Sequence, residues 1–209
     1  MPNPWFLGPA GHVLLDSERT VVDDALAAHP VVGLPWLWLS PVAQAQDPVR
    51  NGLQLVCTGE GFEGRVRCRL PLPIASESLG AIVIQHLLAA DDPRSVDLLD
   101  ECARVLVPGG RLALLALNPL SPYRLRWQRS GERGSDPAAW RGRMRDAGLV
   151  PEPGAHGIGP QWSVSPSPSL QTGVGLRAAY LQRAEKRAIP LTPMRMRSPR
   201  HFADGVPAA

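Results

Sequence analysis

Residues 79–119 hold two apolar runs separated by a segment with helical periodicity, and this order constrains the fold more than any other feature. The apolar runs are residues 81–84 and 112–117, and apolar residues recur at helical spacing over residues 94–106. Two parallel strands joined by a crossover helix are the simplest structure with this order. Because parallel strands are buried on both faces, the rest of the chain must supply flanking strands and helices. We therefore predict an α/β domain with a mostly parallel, twisted sheet and helices on both faces.

Further elements can be placed along the chain from periodicity and from Pro and Gly punctuation. A helix is predicted before the sheet, and Asp136 followed by Pro137 predicts the start of another that stops at Gly148. The Pro-Gly-Gly sequence at 108–110 predicts a turn between the crossover helix and the next strand. The predicted segments are a helix over 16–29, strands over 36–39, 52–59 and 64–70, a short strand near Val150 and a loop over 157–169.

Two stretches that bracket the first apolar run resemble the class I S-adenosylmethionine (SAM)-dependent methyltransferases, in a type 11-like bacterial branch. They are LPIASESL at 72–79 and RVLVPGGRL at 104–112. The resemblance covers about residues 66–120. It implies a single Rossmann-like methyltransferase domain over residues 13–193, with an antiparallel last strand that begins near Arg177. Residues 1–12 are then an irregular N-terminal segment and residues 194–209 a basic tail.

The resemblance also implies SAM as the cofactor, but the loop after the first strand departs from the family pattern. The family has a glycine-rich turn there, whereas residues 40–46 read SPVAQAQ, without a glycine or an acid. A Cβ atom at each position restricts the close backbone approach that glycine permits. The resemblance thus implies a degenerate cofactor site. Its expected residues are Ser40, Val42, Ala43, Glu60, Cys68, Pro73 and Gln85.

The acceptor of the methyl group is expected beyond the carboxyl ends of the central strands, where open α/β sheets bind ligands. His86, Asn118 and Ser121 are the candidate residues on that side. His86 could be a general base, or a hydrogen-bonded structural residue at a strand end. Asn118 could line the cleft, or form an Asn-Pro turn.

Three functions remain open on the sequence. The first is methyl transfer to an unidentified small-molecule or macromolecular acceptor. The second is a methyltransferase-fold protein without turnover that binds a protein partner. The third is a basic accessory protein that contacts nucleic acid through its arginine-rich segments, 124–145 and 183–200.

Cysteine usage and apolar patterning bear on the cellular compartment. The three cysteines form no CxxC pair and have no histidine at zinc-ligand spacing, so no metal site and no disulfide framework are predicted. The N-terminus does not read as a signal peptide, and no apolar run is long enough to span a membrane. We expect a cytoplasmic protein without membrane contact.

Overall fold

The computed structural model describes residues 4–28, 33–44, 51–59, 61–162 and 169–187. Within these residues, ten strands form one mixed sheet and three α-helices cover its faces. The helices are α1 (Pro9–Ala27), α2 (Arg94–Val105) and α3 (Pro137–Asp146). The strands are β1 (Trp36–Ser40), β2 (Gly52–Thr58), β3 (Gly61–Gly64), β4 (Arg67–Cys68), β5 (Leu79–Gln85), β6 (Leu106–Leu117), β7 (Leu149–Pro151), β8 (His156–Ile158), β9 (Gln171–Thr172) and β10 (Ala179–Lys186).

The centre of the sheet is parallel and its margins are antiparallel. The strand order is β4-β3-β2-β1-β5-β6-β10-β8-β9, and β7 also pairs with β10. Strands β2, β1, β5 and β6 are mutually parallel, and β10 runs antiparallel to β6. The chain leaves β1 toward β2 and later returns to β5 on the other side of β1, so the direction of winding reverses between β1 and β5. The predicted α/β fold with an antiparallel last strand is confirmed.

Each face of the sheet carries its own apolar layer, because successive side chains of a strand point to opposite faces. In β5, Ile82 and Ile84 pack with α2 and α3, whereas Ala81 and Val83 pack with α1. All seven residues of β5 are buried. This is the burial expected for a central parallel strand with helices on both faces, and it fixes β5 as the middle of the molecule.

The predicted third strand, residues 64–70, is formed only at its middle, Arg67–Cys68. The chain forms β3 directly after β2 and then the two-residue β4, and both pairings are antiparallel. Val66 lies in the bend between them and is 45% exposed. Only two residues separate β2 from β3, and a parallel neighbour would need a crossover of a dozen or more. The short connection therefore dictates a hairpin at this edge.

The predicted turn at residues 108–110 is wrong. Helix α2 ends at Val105, β6 begins at the next residue, and the Pro-Gly-Gly sequence lies inside β6. Leu79 pairs with Leu106 and Ala81 with Arg111, so the extra residues of β6 form a bulge. Gly109 supplies the positive φ of 78° within this bulge.

The N-terminal segment is more regular than the predicted irregular stretch over residues 1–12. A 3₁₀ helix covers Pro4–Leu7, and α1 begins at Pro9 instead of near Asp16. Proline is favoured at a first helical position because its missing N–H is unpaired there in any case. Phe6 is completely buried and anchors the segment on the α1 side of the sheet.

Several C-terminal predictions are confirmed. The side chain of Asp136 caps α3 by accepting from the Ala138 amide at 2.6 Å, and Gly148 follows the helix with a φ of 79°. The short strand near Val150 is β7, and β10 occupies the predicted final strand. The predicted loop over 157–169 begins within β8, and its residues 163–168 lie outside the described residues. The predicted tail, residues 194–209, lies outside the described residues. Within the described part of the chain, no helix is long and apolar enough to cross a membrane.

Candidate functional site

The parallel strands β1, β2, β5 and β6 all end at one edge of the sheet. Ligands of open α/β sheets bind beyond the carboxyl ends of the strands, at the place where the direction of winding reverses. In this protein that place lies between the ends of β1 and β5, at Ser40 and Gln85. Buried polar side chains converge there.

A buried carboxylate–imidazole pair forms the centre of this cluster. Glu18, from the middle of α1, and His86, directly after β5, both have fully buried side chains. The imidazole Nε2 lies 2.8 Å and 2.9 Å from the two carboxylate oxygens of Glu18. An ionised carboxyl group in a protein interior is stable only when it is paired and hydrogen-bonded, and His86 supplies part of that pairing.

Gln85 links the pair to β1. Its Nε2 donates to Glu18 Oε2 at 2.7 Å, and its Oε1 accepts from Trp38 Nε1 at 3.2 Å and Gln44 Nε2 at 2.9 Å. The Trp38 indole N–H can only donate, so it fixes the orientation of the Gln85 amide. Glu18 then accepts from Gln85, and with Glu18 as a carboxylate the His86 Nε2 between its two oxygens is a hydrogen-bond donor.

His86 has a backbone and ring environment that hold it rigidly. Its φ is +48°, in the left-handed region that side-chain-bearing residues seldom adopt. Its amide donates to Leu115 O at 2.9 Å, and its ring stacks on Phe6 with centroids 5.2 Å apart. The second ring nitrogen, Nδ1, is buried and has no hydrogen-bond partner in the protein.

A cavity of about 440 Å³ adjoins the pair beyond the ends of β5 and β6. His86, Asp92, Arg94 and Glu132 are among its lining residues. The Glu132 Oε1 is buried and has no hydrogen-bond partner. Burial raises the pKa of Glu132 to about 7, while the nearby His86 acts in the opposite direction.

A second, more apolar cavity of about 290 Å³ lies against the end of β2. Its wall includes Cys57, Phe62 and Asp97, and it shares Leu87, Leu88 and Arg94 with the first cavity. Arg94 contacts both carboxylate oxygens of Asp92, at 3.1 Å and 2.7 Å. The two cavities therefore lie side by side along the carboxyl edge. A larger cavity, about 610 Å³, lies by Arg111, Val150 and Arg187, at the opposite end of β6.

The loop after β1 is closed by its own contacts. Ser40 is fully buried, its hydroxyl donates to Val42 O at 2.9 Å, and the side-chain amide of Gln54 lies 3.0 Å from Ser40 Oγ. Val42 is also buried, whereas Ala43 is exposed. Gln44 folds back onto Gln85. Of the expected cofactor residues, the structure thus brings Ser40, Val42 and Gln85 together at the switch point.

The other expected cofactor residues lie elsewhere. Cys68 is on β4, three strands from β1, where burial raises the pKa of its thiol. Pro73 is exposed in the connection between β4 and β5. Glu60 lies outside the described residues.

The two remaining acceptor-side candidates, Asn118 and Ser121, hold the end of β6 to the segment before β10. The Asn118 amide donates to Gly175 O at 3.1 Å and Arg177 O at 2.8 Å, and Asn118 Oδ1 accepts from the Leu120 amide at 3.0 Å. The Ser121 hydroxyl donates to Leu176 O at 2.9 Å. Both side chains are buried and are used in these structural contacts.

The arginine-rich segment after β6 forms two short 3₁₀ helices, Pro122–Arg126 and Gln128–Ser130, around the buried Trp127. In this part of the segment Arg124, Arg126, Arg129 and Arg133 are exposed, whereas Arg141 and Arg143 on α3 are half-buried. Residues 188–200 of the second arginine-rich segment lie outside the described residues. Among the residues that the structure describes, no group of three or more His, Cys, Asp or Glu side chains is placed to hold a metal ion. The cysteines Cys57, Cys68 and Cys102 are free thiols.

Sequence reasoning missed Glu18, Asp97 and Glu132. A signal for Glu18 was present, because it is three or four residues from Leu14, Leu15, Val21 and Val22 on the apolar face of α1. An acid on an apolar helix face requires a buried partner. Glu132 carried no such signal, since it lies in a segment without periodicity.

Comparison with known proteins identifies the fold. No protein-family model matches the sequence, and no curated protein matches it. Among solved structures, a SAM-dependent methyltransferase from Thermotoga maritima, a possible histamine N-methyltransferase, shares 17% identity over 88% of this chain and 94% of its own, with a TM-score of 0.56.

Two further structures give the same result. Geranyl diphosphate C-methyltransferase from Streptomyces coelicolor A3(2), in complex with Mg²⁺, geranyl diphosphate and S-adenosyl-L-homocysteine, is 16% identical over 85% of this chain and 80% of its own, with a TM-score of 0.53. A geranyl diphosphate methyltransferase in complex with SAM is 15% identical over 85% and 87%, with a TM-score of 0.51. The chain has the class I methyltransferase fold, as the sequence resemblance implied.

Proposed function

We propose that this protein is a SAM-dependent methyltransferase that acts on an acceptor still to be identified. The observation that carries the proposal is the position of the Glu18–His86 pair at the switch point of a methyltransferase fold, next to a cavity that borders a second one along the carboxyl edge. Fold alone does not confer activity, so the proposal depends on these residues. Volumes of about 290 and 440 Å³ suit small molecules.

The residues present fit the cofactor at the second cavity better than at the loop after β1. Phe62, Leu87 and Leu88 offer apolar walls for a planar base, and the Asp97 carboxylate can accept hydrogen bonds from ribose hydroxyls. The loop after β1 offers less, because Ser40 and Gln44 already bond within the protein. When bound, SAM supplies an electrophilic methyl group.

His86 is the proposed general base of the reaction. Glu18 fixes the tautomer by accepting from Nε2, which leaves the lone pair on Nδ1 to receive a proton. Much of the rate enhancement of a group transfer comes from the orientation of the reactants, so few further catalytic groups are required.

Titration with SAM and with S-adenosylhomocysteine, followed by calorimetry and thermal unfolding, tests the proposal. A ligand at 100 times its dissociation constant should stabilise the fold by about 2.7 kcal/mol. Asp97→Asn should weaken binding roughly tenfold, because a hydrogen bond to a charged group contributes about 1.5–3 kcal/mol. Asp100→Asn is the matched control, since Asp100 is an exposed acid on the same helix. If neither ligand at millimolar concentration raises the unfolding temperature, the proposed methyltransferase function is rejected.

A second function, binding of a protein partner without turnover, is favoured by one observation. The contact from Gln44 to Gln85 closes the end of β1, and the His86 side chain is fully enclosed. Cofactor binding without methyl transfer to any amine or hydroxyl acceptor, together with co-purification of a defined protein partner, would support this function over the first.

A further inference from the structure

We infer that the 440 Å³ cavity is an acceptor subsite for a small molecule with a protonated primary amine, held between His86 Nδ1 and the Glu132 carboxyl group. The inference rests on the proposed function, since it names the acceptor class of that enzyme. It is argued from hydrogen-bond capacity and charge at the two unpartnered groups of the cavity.

Hydrogen-bond capacity shows what the His86 side of the cavity requires. Nε2 carries its hydrogen toward Glu18, so in the neutral ring Nδ1 is an acceptor. This nitrogen is buried without a partner in a side chain that has no exposed surface. Unpartnered buried polar atoms are rare, because each one costs the free energy of its lost hydration. A ligand at this end must therefore supply a hydrogen-bond donor.

Glu132, which also lines the cavity, likewise lacks a hydrogen-bond donor. Its Oε1 is buried without a partner. At pH values above its pKa of about 7, Glu132 is a carboxylate and can only accept, so a ligand that satisfies it there must donate. Glu132 and His86 line the same cavity.

The other charged side chains of the cavity already have partners. Asp92 pairs with Arg94 at 2.7 Å, and Asp91 lies 3.6 Å from Arg133. These two pairs leave Glu132 as the acid of the cavity lining that lacks a cation. A positively charged ligand group therefore complements the cavity, whereas an anionic one would meet an unpaired carboxyl group.

An ammonium group can donate hydrogen bonds to both His86 Nδ1 and the Glu132 carboxylate. It carries three donors and no acceptor, whereas a hydroxyl group has a single donor and would leave one of the two acceptors unpaired. Once bound, the ammonium transfers one proton to His86 Nδ1: its N–H bond breaks, an N–H bond forms on the imidazole, and the amine keeps the lone pair. The imidazolium formed is paired with the Glu18 carboxylate.

The test compares butylamine with 1-butanol on the full-length protein in the absence of cofactor. We expect butylamine to bind, as measured by calorimetry, and to shift the ¹⁵N resonance of His86 Nδ1, while 1-butanol does neither. Glu132→Gln should weaken amine binding at least tenfold, and Glu185→Gln, an exposed acid at the other end of the sheet, should not. Circular dichroism of each variant confirms that it is folded.

Equal binding of the amine and the alcohol, or amine binding unchanged by Glu132→Gln, would overturn the inference. The measurement needs no cofactor. Failure here with intact SAM binding therefore rejects the amine subsite alone, whereas loss of SAM binding with intact amine binding rejects the proposed enzyme.

Discussion

At the scale of single residues, Glu18 ties the helix before the sheet to the edge where ligands are expected. Its carboxylate accepts from Gln85 and contacts His86, and all three side chains are buried. A buried ion or ion pair contributes little net stability, but removal of one partner leaves the other group uncompensated. Glu18 is therefore both a structural residue of the core and a positioning residue for His86.

Replacement of Glu18 should show this dual role. Glu18→Ala is expected to lower the free energy of unfolding by about 3–5 kcal/mol, because it leaves the buried His86 Nε2 and Gln85 Nε2 without their hydrogen-bond acceptor. Glu18→Gln should cost less, since it keeps an acceptor. Urea unfolding measures both, with Asp16→Asn, exposed on the same helix, as the control. A loss from Glu18→Ala no greater than that of the control would contradict the role assigned to the buried pair.

Glu132 predicts a pH dependence of stability. The folded-state pKa of about 7 lies above the usual value of 4.5, so between these values the folded chain holds a proton that the unfolded chain has released. Stability from this group is complete below pH 4.5 and is lost as the pH rises to about 7. The loss should be of order 1–2 kcal/mol, less than a fully buried group would give, because the side chain is partly exposed.

The measurement for Glu132 is urea unfolding at intervals from pH 4 to pH 8. Subtraction of the Glu132→Gln curve from the wild-type curve isolates the contribution of this residue. A difference that stays flat across the interval, or that grows with pH, would show that the carboxyl group is not desolvated.

At the scale of elements, the loop after β1 is held by hydrogen bonds of its own side chains, within the loop and to β5. Gln44 reaches across to Gln85, and Ser40 bonds to Val42. These contacts occupy the ends of β1 and β5 where a bound ligand would otherwise find donors and acceptors. The structure shows the contacts that this loop makes, and the degenerate cofactor loop stays a prediction.

Gln44→Ala should open this edge. The substitution removes one hydrogen bond, so we expect a loss of stability of about 1 kcal/mol. It should also strengthen the binding of S-adenosylhomocysteine several-fold, because Gln85 Oε1 becomes available to the ligand. Calorimetric titration checks the affinity, and Gln128→Ala, at an exposed site, is the control. Weaker binding in Gln44→Ala would show that Gln44 contacts the ligand instead of excluding it.

At the scale of the whole molecule, the sheet has long parallel strands at its centre and only short antiparallel strands beyond β2. Strands β1, β5 and β6 are parallel and are covered on both faces. Beyond β2, antiparallel β3 and the two-residue β4 occupy the region where the third strand was predicted. The candidate cofactor cavity borders this hairpin through Phe62, so the margin helps to shape the site.

The sequence by itself determined the central layer of the molecule. The apolar runs, the helical spacing of residues 94–106 and the Asp136–Pro137 helix start are local patterns, and local patterns survive into the structure whenever tertiary contacts agree with them. His86 and Gln85 were placed at the carboxyl edge for the same reason, because a strand end is visible in the sequence.

Only the tertiary structure decided which distant residues meet at that edge. Glu18 lies 68 positions from His86, and no periodicity pairs them. Antiparallel β3 follows from a short connection, and the closure of the β1 loop follows from side chains that find partners on other elements. Buried polar groups need hydrogen-bond partners, and those partners come from distant parts of the chain once it has folded. The tertiary structure therefore determined the site, whereas local sequence patterns determined the central strands and helices.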